Sequence, residues 1–290
     1  MCLAAVAIGA SARFPFVVAA NRDEYFDRAA SALDWWTPAG GGPAILGGRD
    51  LHAGGTWLGL TQAGRVALLT NVRNPADIVR DAPSRGAIVP HWLRGDLSVE
   101  HFWRQVAQAG YNGFNVIAAD LARGTCAWAS NRAARPHPLR RGIHGLSNAQ
   151  LDTPWPKVER LKRHLREALD AAASAEALAL RLFAALGDVT PVPDEHLPRT
   201  GVPLEWERWL APAFIRTPDG RYGTRCSTVI VTERRGAQCV THVIERSFPG
   251  PEAGPGDALE RRHVLQDWPP VRDERLAAPA PWAEAPRPAG

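Results

Sequence analysis

Two apolar runs near the N-terminal end constrain the fold more than any other feature of the chain. Residues 2–9 and 15–20 carry almost no polar side chain, and Ser11 and Arg13 stand between them. A strand with one wet face alternates apolar and polar residues, whereas an uninterrupted apolar strand is covered on both faces. Both runs therefore read as central strands of a sheet held between layers. The first is not a secretion signal: no basic stretch precedes Leu3, and the run ends after about ten residues. No stretch reaches the roughly 18–20 apolar residues of a membrane span.

The pattern that follows fixes the fold class. Further short strands are expected at 56–61 and 64–71, bounded by Gly, Asp or Asn. A helix is expected over 98–109, with Ser98 as its N-cap and Phe102, Val106 and Ala109 on one face. Strands follow at 113–120, 124–130 and 142–147. Pro154 and Pro156 open a longer helix in which Val158, Leu161, Leu165 and Leu169 recur at three- and four-residue spacing. An alanine-rich helix over about 174–186 stops at Gly187. Beyond a proline-rich loop (190–204) lie strands 223–233 and 238–246, joined by Arg-Arg-Gly-Ala. Strands, then helices, then strands again lack the regular βαβ alternation of a doubly wound sheet. The expectation is an α+β chain of two antiparallel sheets with helices outside. Residues 1–249 form one domain in this reading, and 250–290 are a Pro/Ala-rich extension whose last fifteen residues are disordered.

Composition narrows the function classes. The net charge of +4 comes from an Arg-rich sequence spread along the chain, which argues against nucleic acid as a partner. Cys2, Cys126, Cys226 and Cys239 show no CxxC spacing, which excludes a zinc knuckle or thioredoxin-like motif. A chain of 290 residues with 45% hydrophobic content needs no disulfide framework. A reducing, cytoplasmic location is the expectation.

Cys2 is the first residue with chemical promise. A small residue after the initiator favours removal of Met1, which would leave a thiol and a free α-amine on one residue. With a reference pKa of about 7.7–8.0 the amine is on the order of one-tenth neutral at pH 7, and it can take the proton of its own thiol. Asn21-Arg22-Asp23-Glu24 is expected at the end of strand 15–20. A carboxylate there could hold the amine, and an arginine could stabilise a thiolate or bind an acidic group. Asn71 and Asn148 also stand at strand ends, and an Asn amide can donate to an oxyanion. Arg225 opens strand 223–233. Gly54-Gly55-Thr56-Trp57 reads as a tight turn entering a strand, with Trp57 as a core residue or a pocket wall, not as a phosphate loop. The nine histidines show no paired ligand spacing, so no metal site is expected and each reads as structural, with a reservation for His144, near Asn148, and for His52.

These segments together resemble the NRDE family, named after the tetrapeptide at 21–24. The resemblance runs from Met1 to about Phe248 through Met-Cys, Ala-Asn-Arg-Asp-Glu, Gly-Gly-Thr-Trp-Leu-Gly, Leu-Thr-Asn, Tyr-Asn-Gly-Phe-Asn, Gly-Leu-Ser-Asn, Thr-Pro-Trp-Pro-Lys, Gly-Thr-Arg and Glu-Arg-Ser-Phe. The family is in turn similar to the choloylglycine hydrolase and penicillin V acylase branch of N-terminal nucleophile (Ntn) hydrolases. That likeness implies a four-layer αββα sandwich whose N-terminal cysteine cleaves linear amides. It implies Cys2 as nucleophile, Asp23 as the carboxylate that grips its amine, Asn148 as the oxyanion donor, Asn71 as a second donor and Arg225 as the supporting arginine. The hydrolase branch carries an arginine where this chain has Ala20, and Arg22 is expected to point to the other face.

Two functions follow as expectations. One is a Cys2-dependent hydrolase of a small amide or acyl thioester, with no required cofactor. The other is a carrier of haem or of an acyl-CoA or lipid on the same scaffold, a role to which members of the family are linked. Asn21, Arg22, Trp35, Trp57 and His144 are its candidate ligand contacts, with Trp36, Arg49 and Arg225 as further wall or carboxylate partners. A vestigial site in an assembly protein is a third reading, and a homodimer is one arrangement open to the chain.

Overall fold

A computed structural model describes residues 2–270 of the chain. The two apolar runs form β1 (Cys2–Ile8) and β2 (Phe16–Tyr25), paired antiparallel in the middle of a six-stranded sheet. Alternation splits their side chains between two environments. Leu3, Ala5, Val17 and Ala19 face helices, whereas Ala4, Val6, Val18 and Ala20 face a second sheet. Both faces are dry, hence the uninterrupted apolar sequence.

The second sheet takes β3 (Ala30–Trp36), β4 (Ile45–Asp50), β5 (Leu58–Leu60), β6 (Arg65–Asn71), β7 (Phe114–Asp120), β8 (Thr125–Ser130) and β9 (His137–Pro138) in chain order. The first is completed by β10 (Gly142–Leu146) on one side of β1. On the far side of β2 lie β11 (Tyr222–Arg235), β12 (Gln238–Ser247) and β13 (Leu259–Gln266). All pairings are antiparallel. Helices α1 (Ile88–Arg94) and α2 (Val99–Ala107) cover the second sheet through Trp92, Phe102 and Val106. Helices α3 (Pro156–Ala171) and α4 (Ala175–Leu186) cover the first through Val158, Leu161, Leu165, Leu178 and Leu182. Each such leucine, fully buried, contributes about 1.5–3 kcal/mol. The layering is αββα, as expected, with α5 (Leu204–Trp209) packed at one end.

Several local expectations need correction. The Asn-Arg-Asp-Glu segment is not a turn after β2; it lies inside the strand, because β11 pairs along it as far as Tyr25. β3, β4 and α1 escaped sequence reading. β3 is interrupted by a register shift between Ser31 and Asp34, β4 contains Gly47 and Gly48, and α1 contains Pro90. The sheet also continues past residue 249: β13 adds an outer strand, and Trp268 is buried with its Nε1 donating to Thr61 O at 2.8 Å. The disorder expected for the last fifteen residues falls outside the described residues. No described helix is long and apolar enough to cross a membrane.

Candidate active site

Cys2 and Arg22 are register partners on β1 and β2, so their side chains leave the sheet on the same face. That face looks into the space between the sheets. Arg22 therefore shares the nucleophile's side, contrary to the expectation that it would point away; positions 20 and 22 have the same parity on the strand. A cleft of ≈ 510 Å³ opens there, walled by Cys2, Arg22, Asp50, Trp57, Asn71 and Arg85 among others.

The cleft wall is built to hold Arg22. Its guanidinium lies 4.3 Å from the Trp57 ring centroid, and Nη2 is 3.6 Å from the Asp50 carboxylate. Asp50 also accepts from Arg28 Nε at 2.8 Å. Trp57 fits only because residue 48 is glycine: a Cβ there would stand 2.4 Å from the indole. The Gly54-Gly55 turn serves a second close approach, since a Cβ on Gly55 would meet Gly86 O at 1.9 Å. This contact seats the segment carrying Arg85 at the cleft mouth. Burial pushes the Cys2 thiol up, Asp23 adds to the rise, and Arg22 pulls it back.

The β1 end is fastened from behind. Ser147 Oγ donates to Cys2 O at 3.0 Å, and Thr70 Oγ1 donates to Ser147 O at 2.6 Å. Asn148 is 1% exposed, and its amide donates to Asn71 O at 2.8 Å. It braces two strand ends and does not line the cleft, so the oxyanion role assigned to it is not supported by its geometry. Asn71 does line the cleft.

Asp23 borders the cleft but alternates to the other side of the sheet from Arg22, in a buried polar cluster that sequence reading largely missed. Its Oδ1 accepts from Thr224 Oγ1 at 2.7 Å, and its backbone carbonyl accepts from Tyr222 OH at 3.0 Å. Burial raises the Asp23 carboxyl, opposed by Lys157 and Arg73. Lys157 is 3% exposed and donates to Leu210 O at 2.9 Å; burial, with Arg73 adding, brings it down to about 8. Arg73 Nη1 pairs with Glu207 of α5 at 2.8 Å, and Glu207 also accepts from Thr200 N and Oγ1. One signal was available: a lysine in the first turn of a proline-opened helix sits where the helix dipole disfavours a cation.

A second chamber of ≈ 440 Å³ adjoins the cleft and shares Asn71, Arg85 and Asn112 with it. Its other walls include Val72, Ile78, Val202, Pro203 and Trp206. A larger cavity of ≈ 710 Å³ lies elsewhere, against Trp92, Arg65 and Arg123, and neither Cys2 nor Arg22 lines it.

A family model described as Transport and Golgi organisation 2 matches residues 1–249. The chain belongs to this family. It is similar to the Transport and Golgi organization protein 2 homolog of Bos taurus, with 37% identity over 253 residues, 82% of this chain and 88% of that protein. Its human counterpart is 35% identical over 240 residues, covering 77% of this chain and 84% of that protein. Among solved structures, a Caenorhabditis elegans N-acylethanolamine-hydrolyzing acid amidase ortholog aligns with a TM-score of 0.44 at 12% identity, over 79% of this chain and 92% of that one. A mutant conjugated bile acid hydrolase from Clostridium perfringens aligns with a TM-score of 0.45 at 9% identity, over 92% of each.

In this family member most of the remaining sequence candidates lie outside the cleft. Arg225 sits in the β11 irregularity between Thr224 and Cys226 and donates to Tyr25 O at 2.7 Å and Arg28 O at 3.1 Å. The bulge breaks strict alternation and aims it at a backbone turn rather than at Cys2. Asn21 faces the helices, donating to Leu186 O and Ala213 O. His144 lies on edge strand β10 and is occupied by Asp152 at 3.1 Å and Arg140 O at 2.9 Å. Trp35 packs against the core between the sheets, and Arg49 lies 5.2 Å from the Trp36 ring. His52 does line the cleft. Among the described residues no group of three or more His, Cys, Asp or Glu could hold a metal ion.

Proposed function

We propose that the chain is a Cys2-dependent hydrolase of a small amide or acyl thioester, acting in the cytoplasm without a cofactor. The observation that carries this reading is the placement of Cys2: it opens into a polar cleft beside Arg22, with Asp23 one residue further along the paired strand. Loss of Met1 would free the Cys2 amine on the Asp23 side. The amine takes the thiol proton, and the thiolate attacks the substrate carbonyl. The C–N or C–S bond then breaks, the leaving group takes the proton, and water releases the acyl group from Cys2. Asn71, which lines the cleft, donates to the oxyanion in this scheme; a donor of this kind is worth about 10²–10³ in rate. Arg22 offsets thiolate charge across the strand pair.

The test is a panel of N-acyl amides and acyl thioesters assayed with wild type and Cys2→Ala, alongside intact mass. The expected result is a mature chain starting at Cys2 and hydrolysis that disappears in the alanine variant while the fold is kept. A fully active Cys2→Ala protein, or a retained Met1, would refute the reading.

The adjoining chamber favours a second reading, a carrier of haem or an acyl chain. Its apolar walls, with Arg85 and Arg132 among the lining residues, suit an apolar acid held by packing and ion pairing. A haem titration with no Soret shift would remove haem from this reading.

A further inference from the structure

Arg85 lines both the Cys2 cleft and the adjoining chamber, and the hydrolytic scheme does not use it. Its Nη1 donates to Gly113 O at 3.0 Å, a carbonyl that also accepts from Val72 N at 2.9 Å. Among the described residues Arg85 makes no other hydrogen bond and no ion pair. The neighbouring cations are matched: Arg28 with Asp50 at 2.8 Å, Arg132 with Asp77 at 3.3 Å and Arg73 with Glu207 at 2.8 Å. Glu24 is turned to Arg28 and to Tyr25 N. Arg80 also lacks a carboxylate but is exposed to water. On the same cleft, Arg22 is 4% exposed and its Nη1 has no hydrogen-bond partner among the described residues. The wall thus carries more cationic donors than the protein satisfies. The place of Arg85 is also fixed. Gly86 O accepts from Thr56 N at 3.1 Å, Gly86 N donates to Ser84 Oγ at 3.3 Å, and the close approach of Gly55 leaves no room for a side chain. A half-buried guanidinium held in position with donors to spare is a preformed carboxylate site.

We propose that Arg85 determines specificity: it binds a carboxylate on the leaving group of an acyl substrate whose tail fills the adjoining chamber, which makes an N-acyl amino acid the substrate class. The inference rests on the proposed Cys2 chemistry and deepens it. The reacting carbonyl must stand at Cys2, which lines the cleft and not the chamber. The tail belongs in the chamber, whose ≈ 440 Å³ falls within the usual size of a small-molecule site. Its Val72, Ile78, Val202 and Trp206 walls favour burial of methylenes. The leaving group then lies in the polar cleft, and Arg85 stands where the two spaces meet, with Asn71 and Asn112. A carboxylate on the tail would instead be buried among apolar walls at high cost. The guanidinium fork pairs with a carboxylate through two parallel bonds, and a neutral amide of the same shape offers it a weaker acceptor. Addition of water across the amide bond gives a carboxylic acid and a free amino acid, with no co-reactant.

The experiment measures binding by isothermal titration calorimetry to the full-length Cys2→Ala protein, so that turnover does not interfere. The ligands are N-octanoyl-alanine and N-octanoyl-alaninamide, which differ in the anionic group alone. The acid should bind about tenfold or more tightly than the amide. With Arg85→Gln added, which keeps a donor for Gly113 O, the acid should lose that margin while the amide keeps its affinity. Arg85→Lys keeps the charge but not the fork, and its acid-to-amide ratio should fall between the two. A merely structural arginine would weaken both ligands alike. That outcome, equal binding of acid and amide by the parent protein, or binding of neither, overturns the proposal. If Arg85→Gln does not fold, Arg85→Lys decides, and a ratio unchanged from the parent overturns it as well. Hydrolysis of the same two compounds by the wild-type chain separates the two readings. A preference for the acid without hydrolysis upholds the carboxylate site and defeats the hydrolase. Equal binding with hydrolysis of both defeats this inference and leaves the hydrolase intact.

Discussion

Asn21→Ala separates a structural from a ligand-binding role for the first residue of the Asn-Arg-Asp-Glu segment. The side chain makes three buried hydrogen bonds: Nδ2 donates to Leu186 O and to Ala213 O, each at 2.9 Å, and Oδ1 accepts from Ser227 Oγ at 2.6 Å. Leu186 O ends α4, where helix carbonyls lack intrahelical donors. Gly187 follows with φ −83° and not the left-handed geometry that commonly closes a helix, so Asn21 supplies the cap from the sheet. At 1% exposure little water can replace it. Two carbonyls left bare cost about 1–3 kcal/mol each, while the Ser227 hydroxyl can rotate. The expected loss is about 4 kcal/mol, roughly a thousandfold in the folding equilibrium. Urea unfolding followed by tryptophan fluorescence should show a lower midpoint at unchanged slope. Cys2 alkylation below the transition should keep its wild-type rate, because Asn21 faces away from the cleft. A loss under about 1 kcal/mol, or normal stability with altered Cys2 reactivity, would refute the reasoning.

Two other perturbations follow from the same geometry. Glu207→Ala strands a buried Arg73 and should cost about 3–5 kcal/mol by denaturant unfolding, whereas the double change Arg73→Met with Glu207→Leu should cost far less. His144 is raised above 6.5 by its hydrogen bond to Asp152, and Asp152 is held down to about 2 despite burial, by His144 and Lys162. The His144 contribution is complete below pH 6.5 and fades as pH rises through its folded value, while the Asp152 contribution is lost as pH falls towards 2. The stability gap between wild type and His144→Gln should therefore shrink from pH 6 to pH 8 in thermal melts; a constant gap would contradict it.

The amino-acid sequence by itself determined the layers. Continuous apolar runs at 2–9 and 15–20 required two dry faces, and the spacing of Val158, Leu161 and Leu165 required a helix to cover one of them. Cys2 and the polar Asn-Arg-Asp-Glu segment stood out because the apolar runs begin and stop there; the pairing of Cys2 with Asp23 came from the family resemblance alone. The sequence also hid what lacks a period. β3 is broken by a bulge, β4 has glycine at two of its six positions, and β13 lies in an exposed stretch where nothing apolar repeats. Only the tertiary structure decided which side chains share a space. Register put Arg22 beside Cys2, a bulge removed Arg225, and bonds to distant carbonyls turned Asn21 and Asn148 into braces. Lys157, Arg73 and Glu207 come from α3, the end of β6 and α5, and no local pattern links them. Their meeting depends on how the layers close, because a buried charge is settled by partners far away along the chain.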